Sequence, residues 1–318
     1  MFLESFKITS LAVLQSFVLG AVGYLLMKKQ ILGHEGLSTL SRLVVEVTLP
    51  VLIFCQLIKD FRFDLYPNWW IFPLLSIAIT IAGLIFGAVF VSFIKGRQHK
   101  WQFLSLVGFQ NSGYLPLALI VAILPKEGTE VILTYLFLFL LGFNLLVWSV
   151  GVYMLSFHAV KKFELGTLFS PPVIAVLLSL ILVFFGLNKF VPATLLKPLR
   201  MIGDCTLPLA MFVVGGNLAA VRLEHVDKRA VSYIILVKLI MLPILGLWLI
   251  FKFQVSYLIG LLILIQLAVP PATSLSVITR HYKKEDLLIS QGVFFGHMAS
   301  IITLPLFLSI YFSLCVIK

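Results

Sequence analysis

Gly108-Phe109-Gln110-Asn111-Ser112-Gly113-Tyr114-Leu115-Pro116 sits inside an apolar run from Trp101 to about Leu124. In hydrocarbon, each unsatisfied backbone group costs several kcal/mol. Polar backbone broken by glycine and proline is therefore tolerated only where it is buried in protein or lines a cavity. A Gln-Asn-Ser-Gly run followed by proline reads as a helix interrupted within the membrane, with amides and carbonyls open to a ligand. Taken alone, it reads equally as a proline kink whose Asn and Ser bond to neighbouring helices.

A second interruption decides between the two. Gln266-Leu267-Ala268-Val269-Pro270-Pro271-Ala272-Thr273-Ser274 lies in another apolar run. Its adjacent prolines remove two backbone donors and clash with the preceding turn. Between and around these breaks, runs long enough to cross a bilayer fall at about 9–27, 38–58, 68–94, 101–124 and 130–156. A second set falls at about 168–187, 194–221, 226–251, 257–280 and 286–313. A shift of 158 carries Arg42 to Arg200, Glu46 to Asp204 and Thr48-Leu49-Pro50 to Thr206-Leu207-Pro208. It also carries Lys126-Glu127 to Lys284-Glu285. The chain thus reads as two repeats, 1–157 and 168–318, joined by a short link at 158–167. Five spans per repeat is an odd number, so the repeats enter the membrane from opposite sides. The expected fold is all-α and integral to the membrane: ten helices as two inverted five-helix repeats, with the fourth and ninth broken, a transporter-like plan.

Composition agrees. Of 318 residues, 61% are hydrophobic and 12% charged, and mean hydropathy is +1.10; soluble domains are about 25% charged. The first apolar run has its charge mainly after it, at Lys28-Lys29, and is long for a secretory signal, so it reads as the first span. Cys55, Cys205 and Cys315 lie far apart, with no metal or disulfide spacing. No cofactor, phosphate loop or nucleophile elbow is visible. The net charge of +11 comes from basic residues scattered between spans rather than from a nucleic-acid stripe. Thirteen Lys and Arg fall in odd-numbered links, against eight in even links and termini. That bias puts the odd links in the cytoplasm and both termini outside.

If the two breaks meet at the midplane, their half-helix N-termini present free N–H groups and positive dipole ends, a site for an anion and for carboxylates especially. Gln110, Asn111, Ser112 and Gly113 from one break, and Thr273 and Ser274 from the other, are the candidate substrate-binding residues. Pro116, Pro270 and Pro271 are the crossover residues, and carbonyls freed upstream of Pro116 and Pro270 are open to a cation. Ionisable and polar groups inside spans are functional candidates by default. Glu46 and Asp204 read either as members of intrahelical pairs with Arg42 and Arg200 or as coupling groups. Lys238 is a coupling candidate or a snorkelling lysine. Gln266 is a polar group at the second crossover. Asn144, Gln291 and His297 read as interhelical hydrogen-bonders, with Asn144 retained in a supporting role. Gly83/Gly87 and Gly292/Gly296 read as close-packing pairs.

The segment GFQNSGYLPLAL, the paired T-L-P helices with FVVGGNLA after the second, and QLAVPPATS resemble the auxin efflux carrier family over essentially the whole chain. The resemblance implies a scaffold domain from helices 1, 2, 6 and 7 and a transport domain from helices 3–5 and 8–10. It further implies Asn111 as a ligand at the crossover. The short central link fits the bacterial permease branch and its inner membrane. The expected function is secondary transport of small organic anions, mono- or dicarboxylates, by an elevator motion, with no nucleic-acid partner and a homodimer formed through the scaffold. The alternatives are a sodium-coupled organic-anion symporter of the bile-acid type and, from another class, an intramembrane enzyme, for which no catalytic dyad is visible.

Overall fold

The computed structural model describes residues 2–156, 169–221, 223–281 and 287–316. Where long runs of Leu, Ile, Val and Phe leave no water for the backbone, the chain bonds to itself, and the described residues are helical without a β-strand. We number the helices α1 (Phe2–Lys28), α2 (His34–Asp60), α3 (Ile71–Phe93), α4 (Arg97–Gly108), α5 (Tyr114–Ile123) and α6 (Lys126–Leu155). After them come α7 (Pro171–Phe184), α8 (Ala193–Ala219), α9 (Lys228–Lys252), α10 (Tyr257–Ala268), α11 (Ser274–His281) and α12 (Leu287–Val316). Seven of them, α1, α2, α3, α6, α8, α9 and α12, are long and apolar enough to cross a membrane. Shorter apolar helices are α5, α7 and α10. The protein is an integral membrane protein. The link expected at 158–167 and the second Lys-Glu pair, Lys284-Glu285, lie outside the described residues.

Both expected interruptions are present. The run from Trp101 to Leu124 is divided between α4 and α5, and α10 ends at Ala268, before Pro270 and Pro271. Pro116 lies outside the gap: it occupies the first turn of α5, where a missing N–H has no intrahelical partner to lose. The gap itself is made by Phe109 to Gly113, without a proline. The T-L-P sites also disturb their helices. Thr48 closes a π-helical segment, Val44–Thr48, ahead of Pro50, and α8 is interrupted at Cys205, just before Thr206 and Pro208. Further π-helical segments, Val147–Gly151 and Ile235–Met241, lie in α6 and α9.

Helix α1 lies along both α8 and α12, and α2 lies against α7 and α8. Elsewhere α3 packs on α4 and α6, and α9 and α12 pack on α10. The α1–α8 contact is backbone on backbone. A Cβ on Gly23 would stand 2.2 Å from the Phe212 carbonyl oxygen, so only glycine permits the approach. Helices α2 and α8 are both 27 residues long and begin at His34 and Ala193. Likewise α4 and α10 are both 12 residues long and begin at Arg97 and Tyr257, so the spacing at the breaks is two residues wider than at the Arg42/Arg200 motif.

Candidate functional site

The two gaps pair with each other. The Asn111 N–H donates to the Pro270 carbonyl (2.8 Å), and the Ala272 N–H donates to the Phe109 carbonyl (3.0 Å). Gln110 and Pro271 thus face each other in a single antiparallel bridge. Each gap supplies the hydrogen bonds that the other lost when its helix stopped, which is how irregular backbone survives at this depth. Pro116 cannot donate to the Ser112 carbonyl, and the Gln266 amide takes that carbonyl instead (Nε2 to O, 3.1 Å). The oxygen freed upstream of Pro116 is therefore occupied by protein.

A cavity of about 260 Å³ opens beside this crossover. Its floor is Gln110, Asn111, Ser112, Gly113 and Tyr114 from one side and Ala272, Thr273 and Ser274 from the other. Helices α5 and α11 both begin here, so two positive dipole ends meet at one volume; at α11 the Leu275 and Ser276 N–H groups are already bonded to the Ala272 and Thr273 carbonyls. Asn144 of α6 and Asn217 of α8 line the wall, with Phe143 and Trp148 giving an apolar side. The six candidate binding residues, together with Asn144, are brought to one place. Pro270 and Pro271 line no part of this cavity; the Pro270 carbonyl accepts from the first gap and Pro271 stands opposite Gln110.

The acids separate. Glu46 lies at the rim, exposed and paired with Arg42 (Nε to Oε1, 3.1 Å). Asp204 is paired with Arg200 (2.8 Å) outside the cavity lining, and Arg200 also donates to Gln56 (2.9 Å). Both are the intrahelical pairs that their spacing suggests; only one borders the cavity. Lys238 is buried in the π-helical segment of α9 and lines no part of the cavity. The helices packed on that segment carry no Asp or Glu among the described residues. Gln110 and Gln266 are fully buried; both polar atoms of the Gln110 amide and Oε1 of Gln266 have no protein partner. Among the described residues no cluster of His, Cys, Asp and Glu is arranged to hold a metal ion.

Two consecutive residues of α12 hold the crossover from behind. Gly296 lies against Pro271: a Cβ there would stand 2.7 Å from Pro271 Cδ. His297 is buried, with Nε2 3.3 Å from Asn111 Nδ2 and Nδ1 2.8 Å from the Val293 carbonyl oxygen. His297 is the interhelical hydrogen-bonder its position suggests, and its partner is the central residue of the site. The signal for that pairing was weak: a lone histidine in mid-span, beside a glycine.

The comparisons with known proteins agree with this architecture. A family model described as "Membrane transport protein" matches residues 8–162 and 154–308. Protein PIN-LIKES 1 of Arabidopsis thaliana is 23% identical, covering 95% of this chain and 78% of that protein. A transporter of Methanothermobacter thermautotrophicus is 26% identical, over 92% of this chain and 95% of its own length. Protein PIN-LIKES 3 of Arabidopsis thaliana is 22% identical over 87% and 90%. With the family model covering nearly the whole sequence and the crossover motifs in place, the chain belongs to the membrane transport protein family, that of the auxin efflux carriers.

Proposed function

We propose that this protein is a secondary transporter of small organic anions that binds its substrate at the crossover. The observation that carries the reading is the convergence of α5 and α11, by their N-termini, on one cavity floored by Asn111, Ser112, Thr273 and Ser274. The two positive dipole ends and the N–H groups at the start of α5 favour a carboxylate there, and about 260 Å³ suits a small one. The fold reading is ten spans as two inverted repeats. It is supported by the matched lengths of α2 with α8 and of α4 with α10, and by a family match that divides the chain near the central link. The contacts of α1 with α8 and of α2 with α7 and α8 support a scaffold of these four helices, past which the remaining helices, with α12 moving along α1, carry the site in an elevator motion.

The cavity lining also suggests a direction. Ser41 to Glu46, Trp148, Pro172, Asn217 and Val277 all lie toward helix ends joined by odd-numbered links. By the charge bias those links face the cytoplasm of a bacterial inner membrane, so this is the inward-open state. One observation favours a second reading, sodium coupling: the buried, unpartnered oxygens of Gln110 and Gln266 are acceptors suited to a hard cation. A thermal-shift screen of purified protein against mono- and dicarboxylates, with and without sodium, tests both. A ligand at a hundred times its Kd stabilises by about 2.7 kcal/mol. Stabilisation by carboxylates alone supports the first reading, and a sodium requirement the second. A panel without effect contradicts both.

A further inference from the structure

We propose that His297 links anion binding at the crossover to the uptake of one proton, by setting which end of the Asn111 amide faces the cavity. The proposal rests on the carrier reading above. A carbonyl can only accept, so the 2.8 Å contact to Val293 places a hydrogen on His297 Nδ1. The neutral imidazole then has a bare Nε2, which accepts from whatever lies 3.3 Å away; Asn111 must therefore turn its NH2 toward His297. Its Oδ1 is then turned away from His297, toward the cavity that Asn111 lines. In this state the side chain at the centre of the floor offers an anion an acceptor, which repels it.

Protonation at Nε2 reverses the arrangement. An imidazolium donates from both nitrogens, keeping the Val293 bond and requiring an acceptor from Asn111. A half-turn of the amide supplies Oδ1 to His297 and delivers NH2 to the cavity, with no change of volume. The proton comes from water through the cavity and stays on Nε2, so the buried positive charge arrives together with the anion that offsets it. Shifting His297 to its other tautomer would also turn the amide, but it forfeits the bond to Val293 inside a buried site and takes up no proton, so the proton count separates the two.

Around the cavity, Glu46 and Arg42 are paired with each other at the exposed rim and Tyr114 lies on the floor. Helix α1 brings Tyr24 to the apolar cavity of about 380 Å³ that His297 also lines. Helix α9 contributes Lys238, and its other bases, Lys228, Arg229 and Lys252, stand at its ends, as do Arg97, His99 and Lys100 of α4. The Tyr311 hydroxyl of α12 donates to the Tyr257 carbonyl at the start of α10, far from the crossover, and the two rings stack. Residues 206–219 of α8 bring no titratable group, and the side chains of Arg280 and His281 on α11 lie outside the described residues. Among the described residues no charged side chain forms a hydrogen bond or ion pair with the imidazole.

The test is titration calorimetry of the purified full chain with butyrate, malonate and succinate between pH 6 and 8, in two buffers of different ionisation enthalpy. Carboxylates stay largely ionised in this range, so the protein's own proton is what is read. The expected result is a Kd that falls up to about a hundredfold from pH 8 to pH 6, with net proton uptake on anion binding. In His297→Gln, position 297 can donate or accept without a proton, so binding persists and both the slope and the proton uptake vanish. A wild-type Kd independent of pH without proton uptake overturns the proposal, as does an unchanged slope in His297→Gln. Should that variant fail to fold, the wild-type proton count decides alone. Absence of binding by every anion at every pH instead overturns the carrier reading itself.

Discussion

Asn111 carries the largest share of the site's chemistry, since its N–H ties the two gaps together and its side chain borders the cavity. Asn111→Ala removes a donor to the anion, and a hydrogen bond to a charged group is worth about 1.5–3 kcal/mol. Asn111→Asp keeps the volume but turns a negative oxygen to the same spot. Like charges about 4 Å apart repel by about 4 kcal/mol at an effective dielectric of 20, an upper bound here because the Asp also pairs with His297. Anion affinity in proteoliposomes at neutral pH should therefore rank wild type, Ala, Asp; equal affinities would place the anion elsewhere. Gly296 gives a packing test of the same floor. Gly296→Val pushes on Pro271, where even a Cβ has only 2.7 Å, and overpacking of this kind costs about 1–3 kcal/mol. Transport should fall severalfold with membrane insertion retained, and unimpaired transport would show that Pro271 need not stay where it is.

The two broken helices are the element on which function turns. Replacing Pro270 and Pro271 together with Ala restores two donors and removes two ring clashes, so α10 and α11 should heal into one continuous helix. The crossover bonds from Asn111 and to Phe109 would then be lost. Transport should be abolished while expression in the membrane survives, as read by uptake and by blotting; normal uptake would contradict the account of the break. Both gaps were legible in the sequence because polar and proline-rich backbone has so few places to go in a bilayer. Their mutual register was not. The shift of 158 that aligns the T-L-P motifs pairs Ser112 with Pro270, whereas the helices flanking the gaps align two residues further on. Pro116 drew attention as a breaker, yet a proline in a first turn is compatible with a helix and the break precedes it. The π-helical segments left no clear mark, since they add one residue to a turn without changing its apolar character. Glu46 and Asp204 are equivalent in the motif but differ in place: one borders the cavity and the other does not. No periodicity separates them, because both occupy the same place in the repeated motif.

At the scale of the molecule, an odd number of spans per repeat and the bias of Lys and Arg predict both termini outside. Cysteine placed at Arg97 should be silent to an impermeant thiol reagent in intact cells, and cysteine at Lys7 should react, both positions being exposed. The reverse pattern would invert the topology. The central claim is that an anion binds at the crossover in a cavity reached from the odd-link side. Ser274→Cys, in a chain whose Cys55, Cys205 and Cys315 are replaced, puts one half-buried thiol on the cavity floor. Its labelling rate is measured in sealed inside-out vesicles as the concentration of a stabilising carboxylate is raised. The predicted result is labelling that slows as the anion saturates, with the same half-saturation as transport. Labelling that stays constant through concentrations at which that anion is transported would contradict the claim.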